Sequence, residues 1–417
     1  MTSNRPLRIV IGADTFPPDV NGAANFAHRL AVGLASVGHE VHVLCPAPAA
    51  GAPMLAGVNA VDGITVHHLK SYRWPFYDDF RFSVPWKAKA ETEELLWQIR
   101  PDLVHVQAHF VVGRALSKTA PALGIPLVAT NHFMPENLFA HAKVPRWLRS
   151  TAAKLAWRDL AKVFGRAQMV TAPTPRAVEL LHANKLGQEA LAISCGIDIE
   201  KYRGGTPVAR TPGAAKTVLF VGRLDEEKRV DELLRALAKL PEHVDVRAEI
   251  VGGGSCEKSL ADLAGKLGIA DRVRFLGRIS DEELVQAYAR CDLFCMPGIA
   301  ELQSLVTMEA MAAGKPVIAA DAMALPHLVR PGHNGWLFPP GNVLVLAARL
   351  AQTLGDEEML RRMGAASADM ITEHALAATL ERFESLYRKV IADAQGRLRL
   401  VPKIEATERP ADLPRSA

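Results

Sequence analysis

The sequence predicts an α/β protein with two domains, each built on a doubly wound parallel sheet. Short apolar runs, typical of buried strands, alternate with helix-forming segments along nearly the whole chain. A Gly/Pro-rich stretch interrupts this alternation at 204–215. The chain has 417 residues, which exceeds the usual size of one hydrophobic core. Because ligands bind such sheets outside the carboxyl ends of the strands, we expect a site in a cleft between the domains.

The predicted domains are residues 1–203 and 216–370, joined by the linker 204–215. The first helix is predicted at Ala23–Val37. First-domain strands are predicted at Leu7–Ala13, Glu40–Cys45, Thr65–Leu69, Leu103–Gln107, Pro126–Thr130, Met169–Ala172 and Ala190–Ser194. Second-domain strands are predicted at Thr217–Val221, Arg247–Val251, Val273–Leu276, Leu293–Met296 and Pro316–Ala320. A long helix follows at 371–394, and the polar, proline-bearing tail 395–417 is predicted to be disordered.

Composition narrows the class of protein. The net charge is 49 − 45 = +4, which is too mild for a general nucleic-acid binder, so no nucleic-acid partner is expected. The five cysteines are scattered, which argues against a disulfide framework and for a reducing, cytoplasmic compartment. No apolar run reaches the length of a membrane span, and the N-terminus shows no signal-peptide pattern. Neither a zinc-type Cys/His set nor an Asp-x-Asp motif is found in a suitable place, so no metal is expected.

Two glutamates in the second domain are the most informative feature. Glu301 and Glu309 lie eight positions apart, between a predicted strand and the glycine at 314. Glu301 is predicted on a loop that precedes a helix over Leu305–Ala313, and Glu309 about two turns into that helix. Unpaired N–H groups at a helix start bind phosphate, and nearby carboxylates accept hydrogen bonds from sugar hydroxyls. Taken alone, two glutamates on a helix also fit a solvated face.

Two further loops follow strand ends. After the strand that ends at Gly222, Arg223 and Lys228 are spaced so that both can converge on one anion. After the first strand comes a turn that contains Asn21 and Gly22. Gly22 lets the backbone approach a ligand closely because it lacks a Cβ. This turn lacks the Gly-x-Gly-x-x-Gly fingerprint, so a nicotinamide enzyme is not favoured.

Together these strings resemble the retaining glycosyltransferases of family 4 (glycosyl transferases group 1), and the resemblance covers nearly all of residues 7–395. The family has the GT-B fold, in which two Rossmann-like domains face each other across a cleft. Its pattern is Glu, seven residues, Glu, usually with Gly-Phe-Gly-Leu after the first Glu. Here the matching residues are Leu302-Gln303-Ser304-Leu305, so both glycines are replaced. A loop of this type resembles a subset that includes bacterial lipid hexosyltransferases.

The resemblance implies a role for each domain and for individual residues. The first domain is expected to bind the acceptor, the second the nucleotide-sugar, and the helix 371–394 to cross back onto the first domain. The expected catalytic residues are Glu301 and His109. The expected donor-binding residues are Gly22, Gly222, Arg223, Lys228, Arg278, Ile279, Ser304, Leu305, Val306 and Glu309. The expected acceptor residues are His132 and Asn21. The backbone at 278–279 would read the nucleobase, without distinguishing guanine from uracil.

The function expected on this basis is transfer of a hexose, of glucose or mannose type, from a UDP- or GDP-sugar to a hydroxyl group. The acceptor is a lipid or another small molecule, and the new bond is α. Cationic side chains and helix amides would neutralise the departing diphosphate, so neither a metal nor another cofactor is expected. Two alternatives stay open. One is a soluble acceptor such as a polyol, sugar phosphate or natural product, and the other is a nucleotide-sugar 2-epimerase.

A basic segment at 141–168 suggests a further partner. Lys154, Arg158, Lys162 and Arg166 repeat every four residues and form one stripe on a helix. An aromatic segment lies nearby at 72–86. Such a basic amphipathic helix is typical of an enzyme that rests on an anionic membrane surface, here the inner face of the cytoplasmic membrane. It also fits a domain helix with a solvated basic face.

Overall fold

The first domain is a parallel sheet with helices on both faces. The computed structural model describes residues 5–19, 21–48, 59–73, 81–135, 145–203, 214–241 and 244–400. First-domain strands are β1 Arg8–Gly12, β2 Glu40–Pro46, β3 Asn59–Val61, β4 Ile64–Leu69, β5 Ser71–Arg73, β6 Arg81–Ser83, β7 Leu103–Val106, β8 Leu127–Thr130, β9 Met169–Ala172 and β10 Ala190–Ala192. Its helices are α1 Gly22–Ser36, α2 Pro85–Ile99, α3 Val111–Ala122, α4 Arg149–Phe164 and α5 Pro175–Ala183; the next helix, α6 Ile199–Arg203, packs into the core of the second domain. The sheet order is β10-β9-β8-β7-β1-β2-β4-β3.

The second domain repeats this plan on a smaller sheet. Its strands are β11 Lys216–Val221, β12 Val246–Val251, β13 Val273–Gly277, β14 Leu293–Met296, β15 Val317–Ala320 and β16 Gly335–Phe338, in the order β13-β12-β11-β14-β15-β16. Its helices are α7 Val230–Leu237, α8 Glu257–Lys266, α9 Asp281–Arg290, α10 Leu305–Ala312, α11 Leu325–Leu328, α12 Val343–Leu354 and α13 Glu357–Met370. All five strand pairs of this sheet are parallel. The predicted class of two doubly wound parallel-sheet domains is therefore confirmed.

Every predicted strand is present, with ends that differ by at most two residues. The strands that the sequence did not predict are β3, β5, β6 and β16. Three of these have only three residues each, and they pair in antiparallel fashion at the margin of the first domain. Short marginal strands of this kind lack the long buried apolar run on which strand prediction depends.

The C-terminal helix packs on the first domain. A 3-10 turn at Ile371–His374 precedes α14, which spans Leu376–Leu400. Phe383 and Tyr387 of α14 are fully buried in a cluster with first-domain residues such as Phe26. The helix begins and ends later than the predicted range 371–394, so the tail is helical rather than disordered up to Leu400. The linker residues 204–213 and the tail beyond Leu400 lie outside the described residues.

A buried hydrogen bond attaches α14 to β7. The Tyr387 hydroxyl lies 2.6 Å from Nδ1 of His105, and the other ring nitrogen lies 2.6 Å from the Thr130 hydroxyl. Tyr387→Phe should lower the free energy of unfolding by about 1–2 kcal/mol, because the polar ring atom loses its partner. Tyr387→Ala should cost about 3–5 kcal/mol, since it also leaves a cavity. Urea denaturation of both variants measures these losses. If both variants lost the same free energy of unfolding, the Tyr387 ring would contribute no packing energy beyond the hydrogen bond of its hydroxyl, which would contradict this prediction.

Among the described residues, no helix combines the length and the apolar character that crossing a bilayer requires.

Candidate active site

The loop between β14 and α10 carries a carboxylate that is paired across the second domain. Glu301 is only 8% exposed, and its Oε1 forms an ion pair with the ammonium group of Lys228. Gly298 makes room for this pair, because a Cβ there would lie 3.3 Å from Glu301 Oε1 and 3.2 Å from Met296 Sδ. The structure thus brings together Glu301 and Lys228, which are 73 residues apart in the chain.

Lys228 is presented by the loop that follows β11. It ends a 3-10 turn over Glu226–Lys228. Arg223 lies in the same loop, but its guanidinium is held by Asp225 and Glu227, each at 3.0 Å. The side chain of Arg223 is 43% exposed, compared with 16% for Lys228. Lys228 is therefore the cation beside Glu301, while Arg223 remains hydrated and tied to acidic neighbours.

The N-terminus of α10 opens beside this pair. Ser304 is the N-cap residue, and its side chain makes no cap hydrogen bond; its Oγ instead accepts a bond of 2.8 Å from Thr307. The first-turn amides at Leu305 and Val306 therefore lack a side-chain cap, which leaves them suited to bind an anion. Gly22 begins α1 on the opposite domain, and a Cβ there would lie 4.0 Å from Cδ1 of Leu305. The starts of α1 and α10 thus face each other across the cleft.

Glu309 lies deeper on α10 and is held by tyrosines. Its Oε2 accepts a hydrogen bond of 2.8 Å from the Tyr288 hydroxyl, and Tyr202 also bonds to it. Burial raises the pKa of Glu309, although these bonds and the charge of Arg29 act against the shift. Arg29 comes from α1 of the first domain, and its buried Nε and Nη2 atoms have no partner among the described residues. The predicted donor-binding role of Glu309 stays a prediction.

Two predicted base-reading residues lie at the end of β13. Arg278 is exposed and Ile279 is partly buried. Gly277, which precedes them, has a φ of +64°, a conformation that favours glycine. Ser280 and Glu283 then form a capping box that begins α9. This sharp turn leaves the backbone of residues 278–279 at the carboxyl end of the sheet, as a base-reading role requires. Gly222, at the end of β11, reaches the same edge of the sheet.

His109, a predicted catalytic residue, lies in an aromatic cluster of the first domain. It is 3% exposed, and its ring packs against Phe110, Phe133 and Phe164 of its own domain. Its Nδ1 atom is buried without a partner among the described residues. Because β7 already ends at Val106, the chain has turned by residue 109 and directs the ring into this aromatic cluster. Its catalytic role stays a prediction that this packing does not support.

The two predicted acceptor residues already have structural partners. Nε2 of His132 lies 3.0 Å from Oε1 of Gln107, and its ring packs on Phe26 at 4.7 Å. Asn21 is the N-cap of α1, and its Oδ1 accepts a bond of 2.9 Å from the Ala24 amide. The oxygen of Asn21 is therefore committed to the helix, and its contact with an acceptor stays a prediction.

Among the ranges that the structure covers, no group of three or more Cys, His, Asp or Glu side chains is arranged to hold a metal ion.

Buried neutral histidines predict a pH dependence of stability. Burial lowers the pKa of His105 to about 3, and those of His109 and His132 to about 4. The unfolded chain binds protons on these rings below about pH 6.5, whereas the folded chain does not. The free energy of unfolding should therefore fall as the pH drops from about 6.5 towards 4. Burial raises the pKa of Asp14 to about 6 and also raises the pKa of Glu309, so these two carboxyl groups oppose the trend.

Melting temperatures measured between about pH 7 and pH 4.5 test this pH dependence. His109→Phe should flatten the slope, because an apolar ring replaces a group that must stay neutral. His333→Phe is the matched control at an exposed histidine and should leave the slope unchanged. A wild-type melting temperature that rises on acidification would contradict the assignment.

Comparisons with known proteins agree with this architecture. Residues 207–370 match the family described as Glycosyl transferases group 1, and residues 20–201 match Glycosyltransferase Family 4. A D-inositol 3-phosphate glycosyltransferase of Nocardia farcinica is 31% identical over 425 residues, covering 94% of this chain and 91% of that protein. A GDP-mannose-dependent alpha-mannosyltransferase of Mycolicibacterium smegmatis is 31% identical over 340 residues, covering 79% and 84%.

A solved structure of sucrose-phosphate synthase from Thermosynechococcus elongatus superposes with a TM-score of 0.78 at 20% identity, covering 93% of this chain and 100% of that one. This likeness places the fold among the two-domain GT-B enzymes. The sequence relatives then decide the family: the chain belongs to glycosyltransferase family 4.

Sequence reasoning missed several residues at the domain boundary. Leu302 and Gln303 contact the first domain, and Arg29 reaches towards Glu309. Leu302 and Gln303 stand where the family pattern has Gly and Phe, and this departure from the pattern was a visible signal for both. No sequence pattern marked Arg29, because its position depends on how α1 lies against the second domain.

Proposed function

We propose that this protein is a retaining glycosyltransferase that moves a hexose from a nucleoside-diphosphate sugar to a hydroxyl group, forming an α-glycosidic bond. The observation that carries the proposal is the pair formed by Glu301 and Lys228 beside the uncapped start of α10. A carboxylate suits sugar hydroxyls, whereas an ammonium group and free amides suit a diphosphate. One small region therefore offers complementary groups to both halves of a nucleotide-sugar.

In the proposed mechanism, the donor separates the Glu301–Lys228 pair. Lys228, Arg223 and the amides of Leu305 and Val306 stabilise the charge that develops on the departing diphosphate. Glu301 accepts hydrogen bonds from the sugar and orients it. The bond from the anomeric carbon to the phosphate oxygen breaks, the acceptor oxygen bonds to that carbon on the same face, and the departing phosphate oxygen takes the acceptor proton. No step requires a metal ion, so activity in excess EDTA should equal activity with magnesium.

The named relatives favour mannose on a guanosine carrier as the first donor to test. The Mycolicibacterium relative is named for its dependence on GDP-mannose, and a phosphatidyl-myo-inositol mannosyltransferase of Mycobacterium leprae is 34% identical over 273 residues. The Nocardia relative is named for an inositol phosphate acceptor. Glucose on a uridine carrier is the second donor to test, since the sequence at residues 278–279 does not distinguish guanine from uracil.

A donor panel followed by product analysis tests the proposal. Thermal shifts with GDP-mannose, UDP-glucose and UDP-GlcNAc identify the donor, because a ligand that binds only the folded state raises the melting temperature. The donor is then incubated with phosphatidylinositol, inositol phosphate or free polyols, and the anomeric configuration of the product is read by NMR. Release of the free nucleotide and an epimerised sugar without an acceptor would support the 2-epimerase alternative instead. No shift with any donor would refute the proposal.

A basic face of the first domain favours a lipid acceptor at a membrane surface. The predicted segment 141–168 is observed as a 3-10 turn at 146–148 followed by α4; residues 141–144 and the aromatic residues 74–80 lie outside the described residues. Trp147 is 79% exposed and Leu155 is 59% exposed. Leu155 lies on α4 close to Lys154 and Arg158, which are also exposed, and Trp147 lies in the turn just before α4. Apolar and cationic side chains on one face suit an anionic lipid surface.

Flotation with vesicles tests this placement at the cytoplasmic face of the membrane. The protein should float with vesicles that contain anionic phosphatidylglycerol and sink with neutral phosphatidylcholine vesicles, and high salt should weaken binding. Trp147→Ser with Leu155→Ser should abolish flotation. Sedimentation regardless of lipid charge would leave a soluble acceptor as the preferred alternative.

A further inference from the structure

The side chain of Gln303 joins the site loop to the segment by which the chain leaves the first domain. Its Oε1 accepts a hydrogen bond of 2.8 Å from the Cys195 amide, and its Nε2 donates one of 3.0 Å to the Ser194 hydroxyl. Ser194 and Cys195 lie two and three residues after the end of β10. Gln303 lies two residues after Glu301, so the contact connects the candidate catalytic loop with the start of the passage to the second domain.

The chain returns to the first domain at the same point. The Ile197 amide donates to the His374 carbonyl at 3.0 Å, and the Leu376 amide donates to the Ile197 carbonyl at 2.9 Å. Nδ1 of His374 lies 2.9 Å from the Ser194 hydroxyl. Residues 194–197 and 374–376 are called the hinge below. Gln303 therefore contacts the place where both connections between the domains meet.

The neighbouring Leu302 is held by the first domain as well. It is 9% exposed and belongs to a buried cluster whose other members, within the described ranges, run from Val10 to Leu186. Its carbonyl oxygen accepts a bond of 2.9 Å from the Thr174 hydroxyl. Positions 302 and 303 are thus anchored in the first domain and at the hinge.

Glu301 itself is held by the second domain. Its carboxylate pairs with Lys228, and its carbonyl oxygen accepts a bond of 3.1 Å from the Ala324 amide. Successive residues of one loop are therefore fastened to opposite domains. If the domains separate, the contacts of Leu302 and Gln303 break while those of Glu301 persist, and the loop loses half of its restraints.

We propose that Gln303 is a positioning residue that couples closure of the two domains to the placement of the Glu301 carboxylate. The inference rests on the proposed function. It adds that Glu301 is correctly oriented for the sugar only when the two domains are closed. Gln303 suits the task because its amide supplies both an acceptor for Cys195 and a donor for Ser194. The phenylalanine that the family pattern has at this position would leave the loop without either bond.

Steady-state kinetics of matched variants test the coupling. Gln303→Met keeps the length of the side chain and removes both bonds, and Ser194→Ala removes one partner from the other side. With the donor identified above, Gln303→Met should lower kcat about tenfold or more and change the donor KM by less than about twofold. The double variant should lose less than the product of the two single losses, because both delete the same bond. Gln352→Met, at an exposed glutamine of α12, is the control and should behave as wild type.

Small-angle X-ray scattering provides a readout that does not depend on turnover. Gln303→Met should have a larger radius of gyration than wild type, and should need more GDP or UDP to reach the compact value. Equal radii, or wild-type kcat in Gln303→Met, would overturn the coupling. If Gln303→Met does not fold, Ser194→Ala decides by the same two measurements. Inactivity of wild type with every donor would refute the proposed function alone, because the scattering comparison would still decide the coupling.

Discussion

Glu301→Ala should lower kcat/KM by about 30- to 1,000-fold, equivalent to 2–4 kcal/mol of transition-state stabilisation. The carboxylate is buried, and it is the group proposed to accept hydrogen bonds from the donor sugar. Its removal also leaves the Lys228 ammonium without its counter-charge in the resting enzyme. The loss should therefore appear mainly in kcat, while binding of the free nucleoside diphosphate is retained or strengthened.

Initial rates and calorimetric titration with the nucleoside diphosphate measure these two effects separately. Glu358→Ala is the matched control, because Glu358 lies on the surface of α13 in an exposed pair with Arg361. It should leave both quantities unchanged. If Glu301→Ala turned over like wild type, Glu301 would not be a catalytic residue, and the main observation behind the proposed function would no longer support it.

Lys228→Met should lower kcat/KM by about 100- to 1,000-fold, the effect typical of removing one preorganised group that stabilises developing negative charge. Methionine preserves the apolar stem of the lysine and removes only the cation. Arg223→Ala is expected to lose less, because its side chain is more exposed and is already neutralised by Asp225 and Glu227. The order of the two losses thus follows from the structure, whereas the sequence treated both cations alike.

The double variant Glu301→Ala with Lys228→Met should be less impaired than the product of the single losses, since the two side chains contact each other. Lys239→Met, at an exposed lysine just beyond α7, is the control and should retain wild-type kinetics. If Lys228→Met kept normal affinity for the nucleoside diphosphate and normal kcat, the diphosphate would not bind beside Lys228, and the prediction would be wrong.

Much of the candidate site could be predicted because it is local in sequence. Strand ends, helix starts and glycine turns place Gly222, Lys228, Glu301 and the start of α10 at one edge of a sheet, and strand–helix alternation is enough to find that edge. The orientation of His109 could not be predicted in the same way. Three positions beyond a strand, the direction of the ring depends on which aromatic side chains surround it, and one of these, Phe164, comes from α4.

The amino-acid sequence alone determined the two doubly wound domains and the presence of a carboxylate near cations. Both follow from apolar periodicity and residue spacing within short stretches of the chain, which do not depend on distant contacts. Only the tertiary structure decided which cation pairs with Glu301 and that Leu302 and Gln303 belong to the first domain and the hinge. These contacts join residues about 70 to more than 100 positions apart. They arise from how the two domains pack, and local patterns carry no information on that packing.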